Sequence, residues 1–322
     1  MTDRTTHILQ NITAISPDDW NHCANPAGDE YNPFLDHRFL RALEESGSAA
    51  AETGWQPFHL CLKEAKTTVG VVPIYLKSHS RGEYVFDSGW ADAFYRAGGD
   101  YYPKMQVSVP FTPATGRRLL VSDSPKRDQI EEQLLHSLVQ VAKQIKVSSL
   151  HLTFLPKAQW DRAGKFGMLQ RMDTQFHWRN NGYDTFEKFL ADLSSKKRKN
   201  IRRERRDAVA NDITIERITG SDLQESHWDA FYEFYVDTSN RKWGATYLTR
   251  SFFSLISELM PEQTLLILCK RNGQYIAGAI NFMGGKTLFV RNWGCREDHR
   301  FLHFETCYYQ AIEYAIENQL ES

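Results

Sequence analysis

Two strand-rich blocks with similar hydrophobic patterns occur in the two halves of the chain. Apolar runs separated by polar turns predict three strands in each half. The first block covers 58–64, 69–77 and 83–90, and the second covers 264–270, 275–282 and 286–294. Asn272-Gly273 is a strong two-residue hairpin signal, and Gly284-Gly285 marks a second turn. Each block therefore predicts an antiparallel meander.

Helical patterns flank both blocks. Before the second block, helices are predicted after Ser221 and after Thr249, and 18–21 with 35–45 match them in the first half. After the first block we predict a helix over 126–146, a strand over 148–155, a helix over 157–166 and a strand over 169–178. After the second block only a helix over 303–318 follows. The second half thus repeats the first and stops earlier.

This order of elements resembles that of the GNAT acyltransferase fold. The predicted fold class is α/β with tandem GNAT-like domains. We place the first domain at 1–180 and the second at 181–322. By comparison with the first half, we expect the second domain to lack its last strands and the chain to be truncated at its C-terminus.

A basic segment stands between the two blocks. Residues 196–206 contain eight Lys or Arg and one Glu, while the whole chain has a formal net charge of −1. Phe186, Leu190 and Ile201 recur at helical spacing, so we predict an amphipathic helix with its cations outside. The predicted polyanion-binding residues are Lys196, Lys197, Arg198, Lys199, Arg202, Arg203, Arg205 and Arg206. The simpler interpretation is a solvated face or a disordered tail.

Composition narrows the class of protein. The chain has 322 residues and 41% hydrophobic residues, which suits two globular domains. No apolar run reaches the roughly 20 residues that span a bilayer, and we expect a cytoplasmic protein. Five scattered cysteines show no metal-ligand spacing, so no metal is predicted. Oligomeric state is not predicted.

Several segments resemble a known family. The stretch LADLSSKKRKNIRRERR and the segments 31–48, 82–98, 101–120, 241–253 and 301–317 are similar to FemAB-like predicted N-acyltransferases, often labelled peptidoglycan biosynthesis proteins. The resemblance implies a twin GNAT-like fold and acyl transfer to a small amine or peptide acceptor. It also implies aminoacyl-tRNA as a possible donor and tRNA as a possible partner.

Residues near the end of the chain suit proton transfer. His303 and Glu305 begin the helix after the second meander, and Arg291 and Trp293 lie on the strand before it. Acyl transfer to an amine needs a base, and histidine titrates near neutrality. We predict His303 and Glu305 as catalytic and Arg291 and Trp293 as substrate-binding. Alternatively, His303 caps the helix and Glu305 answers its dipole.

Three further groups have functional and structural interpretations. His177 and Trp178 end the first domain. We predict His177 as catalytic and Trp178 as substrate-binding; alternatively, both pack in the structure. Arg241 and Trp243 suit binding of a phosphate or a base, or end a helix that Gly244 caps. The acidic residues Glu83, Asp87 and Asp92 suit a cationic amine, or are solvated in loops.

The acyl donor stays open between two classes. The segment 294–304 has one glycine and lacks the glycine-rich turn that binds pyrophosphate in CoA-using enzymes, which disfavours acyl-CoA without excluding it. The basic segment favours aminoacyl-tRNA. No Walker A, zincin or Rossmann fingerprint occurs. The alternatives are a non-catalytic tRNA-binding module and an inactive transferase fragment.

Overall fold

The chain folds into two compact units. The computed structural model describes residues 4–243 and 245–322, except for the side chains of Lys242 and Trp243. Its internal contacts separate Met1–Asp173 from Thr174–Ser322. The domain boundary after residue 180 stays a prediction.

The first unit contains two four-stranded sheets. Its strands are β1 (Arg4–Leu9), β2 (Trp55–Pro57), β3 (His59–Glu64), β4 (Thr67–Val72), β5 (Ile74–Lys77), β6 (Lys104–Val107), β7 (Leu120–Val121) and β8 (Leu150–Leu152). One sheet has the order β1-β3-β4-β7 and is antiparallel. The other has the order β2-β5-β6-β8, in which only the β6–β8 pair is parallel. Pro73 separates β4 from β5, because proline has no N–H for a strand ladder.

Five α-helices accompany these sheets in the described part of the first unit. They are α1 (Pro17–Ala24), α2 (His37–Glu45), α3 (Ser88–Arg96), α4 (Arg127–Gln144) and α5 (Lys157–Lys165). Leu134 and Leu138 of α4 pack against Val72, Met105 and Val107 in the main core of this unit. The predicted helices 126–146 and 157–166 are therefore confirmed.

The predicted strand 69–77 is two strands in different sheets, β4 and β5, so the first predicted meander is wrong. Two further strands predicted for the first half are also wrong. The segment 83–90 is a turn followed by the start of α3, because Trp90 and Phe94 follow helical spacing and Glu83 turns inward. The segment 169–178 has no regular structure. Its apolar alternation resembled a strand, but Leu169 is 91% exposed and Met172 is 85% exposed, so no buried face exists to fix it in a sheet.

The second unit is built around one antiparallel sheet. Its strands are β9 (Thr214–Thr219), β10 (Thr264–Arg271), β11 (Gln274–Met283) and β12 (Leu288–Cys295), in the order β12-β11-β10-β9. The meander β10-β11-β12 and the Asn272-Gly273 hairpin are confirmed. β10 supplies the buried residues Leu265, Ile267 and Cys269 to two apolar clusters of this unit.

The helices of the second unit surround this sheet. They are α6 (Phe186–Asp192), α7 (Ser195–Ala208), α8 (Glu225–Trp243), α9 (Arg250–Leu259), α10 (Leu302–Phe304) and α11 (Gln310–Glu317). A π-helical turn, Glu305–Tyr309, joins α10 to α11. Thr249 caps α9 by accepting a hydrogen bond from the Phe252 N–H at 3.4 Å. The predicted helix over 303–318 is thus confirmed, with a π-turn inside it.

Candidate functional site

The basic segment forms α7, and its sequence explains its orientation. Ser194 caps the helix, accepting a hydrogen bond from the Lys197 N–H at 3.5 Å. Ile201 packs with Phe186, Leu190 and Tyr309 in one apolar cluster. The apolar positions fix one side of α7 on the unit, so the cations occupy the other side.

Six of the eight cations are exposed on α7. They are Lys196, Lys197, Lys199, Arg202, Arg203 and Arg206, while Arg198 is partly buried and donates to the Ala191 carbonyl at 3.1 Å. Arg202 pairs with Glu187 at 2.5 Å and Arg206 with Asp207 at 3.1 Å, in each case largely in solvent. Such exposed pairs contribute only about 0–1 kcal/mol, so α7 keeps a strongly positive outer face.

Arg205 differs from the other seven cations. Its guanidinium donates to Glu305 at 3.0–3.2 Å and to Glu313 at 2.8 and 3.2 Å. Glu305 is only 2% exposed. Burial alone would lower the pKa of Arg205, but its hydrogen bonds with Glu313 and Glu305 outweigh that effect and raise it. Arg205 therefore ties α7 to the π-turn and to α11.

Further polar contacts surround this ion pair. Arg217 of β9 donates to Glu313 at 2.9 Å and to Gln310 at 2.8 Å. Gln310 in turn donates to Glu305 at 2.7 Å. Despite burial, the hydrogen bond and charge of Arg205 lower the pKa of Glu313. The lowered pKa favours the ionised form of Glu313, and the hydrogen bonds of Arg205, Arg217 and Gln310 fix the π-turn between α7 and the sheet.

Four rings lie together at the start of the same helix. Trp293 and His303 have ring centroids 5.2 Å apart, and His303 lies 5.6 Å from Phe304 and 5.9 Å from Tyr308. We call Trp293, His303, Phe304 and Tyr308 the aromatic platform. Phe304 and Tyr308 are each about half exposed, so the platform faces solvent and can accept a planar group.

The backbone next to the aromatic platform has two uncommon features. Phe301, which precedes α10, has φ 64°, a left-handed conformation that is strained for a bulky residue. A π-turn follows it within the same helix. Such features are found more often at functional sites; here Phe301 lies two residues before His303, and the π-turn contains Tyr308.

The remaining predicted residues of the second unit lie on several elements. Arg291 and Trp293 are two residues apart on β12 and half-buried. Arg241 of α8 pairs with Asp237 at 2.8 Å and donates to the Cys295 carbonyl at 3.2 Å, which places it at the end of β12. The side chain of Trp243 lies outside the described residues.

His177 and Trp178 lie in the irregular segment before α6. His177 is exposed and hydrogen-bonds Gln175 at 3.3 Å. Trp178 packs edge-on against Phe189, with ring centroids 5.9 Å apart, in the apolar cluster below α6. The structure therefore brings Glu305 together with Arg205 and His303 with Trp293, and it places Trp178 in the same apolar cluster as Ile201 and Tyr309.

Sequence reasoning missed a buried ionic cluster in the first unit. Glu83 and Asp87 are buried and both accept from Lys104, whereas Asp92 is exposed on α3. The two carboxylates do bind an amine, and it is that of Lys104. An available signal was Lys104 itself, a lysine followed by alternating apolar residues at the start of a strand.

Comparison with known proteins identifies the family. The FemAB-like family, described as peptidoglycan biosynthesis/recognition, matches residues 11–322. The chain therefore belongs to the FemAB-like family, as its motifs indicated. Among curated proteins, no sequence matches it.

Solved structures share the fold at low sequence identity. FemX aligns with a TM-score of 0.53 at 12% identity, over 98% of this chain and 87% of FemX. The C-terminal domain of a putative lysylphosphatidylglycerol synthetase from Agrobacterium fabrum gives 0.55 at 8% identity, over 94% and 76%. L-PGS from Bacillus licheniformis gives 0.50 at 10% identity, over 92% and 79%. The predicted α/β fold class is confirmed, and the fold is shared with FemX.

The described residues contain neither a membrane-spanning helix nor a cluster of metal ligands. No helix in 4–243 or 245–322 is both long and apolar enough to cross a membrane. Within the same ranges, no group of three or more His, Cys, Asp or Glu is arranged to hold a metal ion.

Proposed function

We propose that this protein transfers an acyl or aminoacyl group to an amine acceptor, and that the outer face of α7 binds a polyanionic donor, aminoacyl-tRNA in the first place. The observation that carries the proposal is that the cations of α7 have two different orientations. Exposed cations face outward, while Arg205 points inward and binds Glu305. Family membership and the fold of FemX support the transferase class.

Electrostatics support a donor with many phosphates. The exposed cations of α7 are spread over three turns, so one small anion meets few of them. A nucleic acid backbone presents phosphates at comparable intervals and releases counterions when lysines and arginines neutralise it. Acyl-CoA, the other donor class, offers fewer phosphates and is our second choice.

The aromatic platform supports the chemistry beside this face. The π-turn that Arg205 anchors also carries Tyr308, and His303 lies just before it. Planar bases of single-stranded RNA stack on such rings. We propose that Trp293, Phe304 and Tyr308 hold the donor end, with Arg291 and Arg241 as nearby positive charges.

His303 is our proposed base. In the reaction, the acceptor nitrogen attacks the carbonyl carbon of the donor ester, and the carbon–oxygen ester bond breaks. His303 takes the proton that the nitrogen loses and returns it to the oxygen that leaves. The exposed imidazole can reach a bound substrate, and its packing against Trp293 limits its orientations.

Glu305 has a different proposed role from the one its sequence position indicated. Its carboxylate is buried and already accepts hydrogen bonds from Arg205 and Gln310. A group so paired is a poor proton carrier but a good anchor. We therefore propose Glu305 as a positioning residue for the π-turn, and His177 and Trp178 as contacts outside the catalytic step.

The test is a transfer assay with defined donors. Purified protein is incubated with radiolabelled aminoacyl-tRNA or acyl-CoA and with amine acceptors that include peptidoglycan precursor peptides, an acceptor class drawn from the family description. We expect label to move from aminoacyl-tRNA to an acceptor. Transfer from acyl-CoA alone would replace the donor proposal, and tRNA binding without any transfer would favour a binding module.

A further inference from the structure

One face of the β2-β5-β6-β8 sheet is buried and polar. On β6, Met105 and Val107 point into the apolar core with α4, so Lys104 and Gln106 point to the opposite face. Both are fully buried. Their register partners continue the pattern: Lys104 pairs with Lys77, and Gln106 pairs with Tyr75 and His151. We call Tyr75, Lys77, Lys104, Gln106 and His151 the polar face.

The connection between β5 and β6 covers this face. Residues 78–103, which we call the cover segment, include α3 and return to the sheet at Lys104. The Lys104 ammonium donates to Ser80 at 2.8 Å, to Glu83 at 2.8 Å and to Asp87. The Tyr101 hydroxyl also donates to Asp87, at 2.9 Å. The Tyr101 hydroxyl also lies 3.4 Å from Nε2 of His151 on the polar face, so polar contacts on both sides of α3 attach the cover segment to the sheet.

Apolar packing contributes little to this attachment. Of the residues of α3, only Ala91 is buried, and the rings of Trp90, Phe94 and Tyr95 are between 41% and 49% exposed. A helix that buries a single alanine gains little from the hydrophobic effect. Apart from Tyr101, which is buried, the cover segment is held mainly by polar contacts centred on Lys104, a basis for local opening without unfolding of the core.

Lys104 uses only one oxygen of each carboxylate. It binds Oε2 of Glu83 and Oδ2 of Asp87. The other two oxygens, Glu83 Oε1 and Asp87 Oδ1, are buried and have no hydrogen-bond donor among the described residues. The same holds for Gln106 Oε1 and Ser108 Oγ. Native proteins seldom leave buried acceptors unpaired, so these atoms indicate a missing donor-rich group.

The charges of the cluster are consistent with one more cation. The Lys77 ammonium lies 3.9 Å from Glu83 Oε1, and it donates to the Gly54 carbonyl at 3.0 Å. Burial lowers the pKa of Lys77 to about 6, and the attraction of Glu83 only partly opposes this. Burial also raises the pKa of Glu83, although the charges of Lys104 and Lys77 oppose this, so a further cation beside Glu83 would favour its ionised form.

We propose that the polar face is a ligand site for a compound that carries an alkylammonium group, and that the cover segment opens to admit it. The ligand ammonium donates to Glu83 Oε1 and Asp87 Oδ1 beside Lys104, and Gln106 and Ser108 take further polar groups of the ligand. An amine acceptor of the proposed transfer carries such a group, and only this assignment of the ligand as acceptor rests on the proposed function.

Hydrogen exchange on the full chain tests the site, with n-butylammonium as the probe and n-butanol as its uncharged match. Without a probe, we expect the amides of 78–103 to exchange faster than those of β3 and β4 in the same unit. A ligand bound only to the closed form, at twice its dissociation constant, slows exchange about threefold. We expect this slowing with n-butylammonium and none with n-butanol.

Two variants make the test specific. Glu83→Gln should abolish the effect of n-butylammonium, and Glu52→Gln, at an exposed glutamate of the same unit, should retain it. Equal effects of the amine and the alcohol, or exchange of 78–103 only together with β3 and β4, would overturn the proposal. If Glu83→Gln fails to fold, the comparison of n-butylammonium with n-butanol on the native chain still tests the proposal. No acyl donor is present, so the result is independent of the transfer assay.

Discussion

Arg205 and Glu305 form a buried ion pair that joins the basic helix to the helix after β12. The guanidinium makes three contacts of 3.0–3.2 Å with the carboxylate, which is 2% exposed. The same arginine reaches Glu313 of α11. The positive outer face of α7 and the aromatic platform are therefore fixed to one another within the second unit.

Removal of Arg205 should strongly destabilise the second unit. Arg205→Gln leaves Glu305 buried without its main countercharge, and breaking a buried pair in this way costs about 3 kcal/mol. Urea unfolding of the purified protein, followed by circular dichroism, measures the free energy of unfolding. Arg203→Gln, at an exposed cation of the same helix, should change it by less than about 0.5 kcal/mol. Equal effects of the two variants would refute the anchoring role.

Replacement of His303 should reduce transfer without loss of structure. A positioned general base contributes about 10²–10⁴ in rate, so His303→Ala should lower kcat/KM by a factor in that range and remove the pH dependence that the base imposes. His7→Ala, at an exposed histidine of the first unit, is the matched control. A His303→Ala enzyme with unchanged kcat/KM and pH profile would exclude His303 as the base.

Stability should depend on pH through Lys77. Burial lowers its pKa to about 6 from an ordinary value of 10.5, so between these values the folded protein holds Lys77 neutral while the unfolded chain holds it protonated. Unfolding then takes up a proton, and the free energy of unfolding rises with pH by up to about 1.4 kcal/mol per unit.

Substitution separates this contribution from the rest. Lys77→Met should remove that part of the slope between pH 7 and pH 9, while Lys66→Met, at an exposed lysine, should keep it. Urea unfolding at several pH values measures both slopes. A Lys77→Met protein with the same pH slope as the native chain would show that Lys77 is charged when folded.

Gly294 should be intolerant of any side chain. A Cβ at this position of β12 would lie 2.4 Å from the backbone carbon and oxygen of Phe234 in α8. Overpacking of this kind costs about 1–3 kcal/mol, and here it would push apart the strand and helix that support Trp293 and Arg241. Gly89→Ala, with open space around its Cβ, is the control. Thermal melts of both variants give the comparison.

Local patterns predicted the elements of the second unit well because turn and cap residues next to each element define where it begins and ends. The Asn272-Gly273 turn sets the β10–β11 hairpin, and Thr249 caps α9. The inward turn of Arg205 was not predictable in the same way. Within a run of eight cations nothing local distinguishes it, since its partner Glu305 is about a hundred residues later in the chain.

In the first unit, a local sequence pattern predicted the wrong element. Residues 83–90 have the composition of a strand, yet the segment turns inward because Lys104, on the next strand, binds Glu83 and Asp87. That contact depends on the register of β5 with β6, which the apolar pattern does not specify. The buried polar face of this sheet was missed for the same reason, since its members lie on three strands.

The salt dependence of tRNA binding tests the central claim most directly. Each phosphate neutralised adds about −0.7 to −0.9 to the slope of log K against log salt. Lys196→Glu, Lys197→Glu and Lys199→Glu together should weaken binding and make the slope shallower by about 2 or more. The matched triple Lys126→Glu, Lys143→Glu and Lys146→Glu, at exposed lysines of the first unit, should leave the slope unchanged. Equal slopes for the two triple variants would contradict a polyanion-binding role for α7.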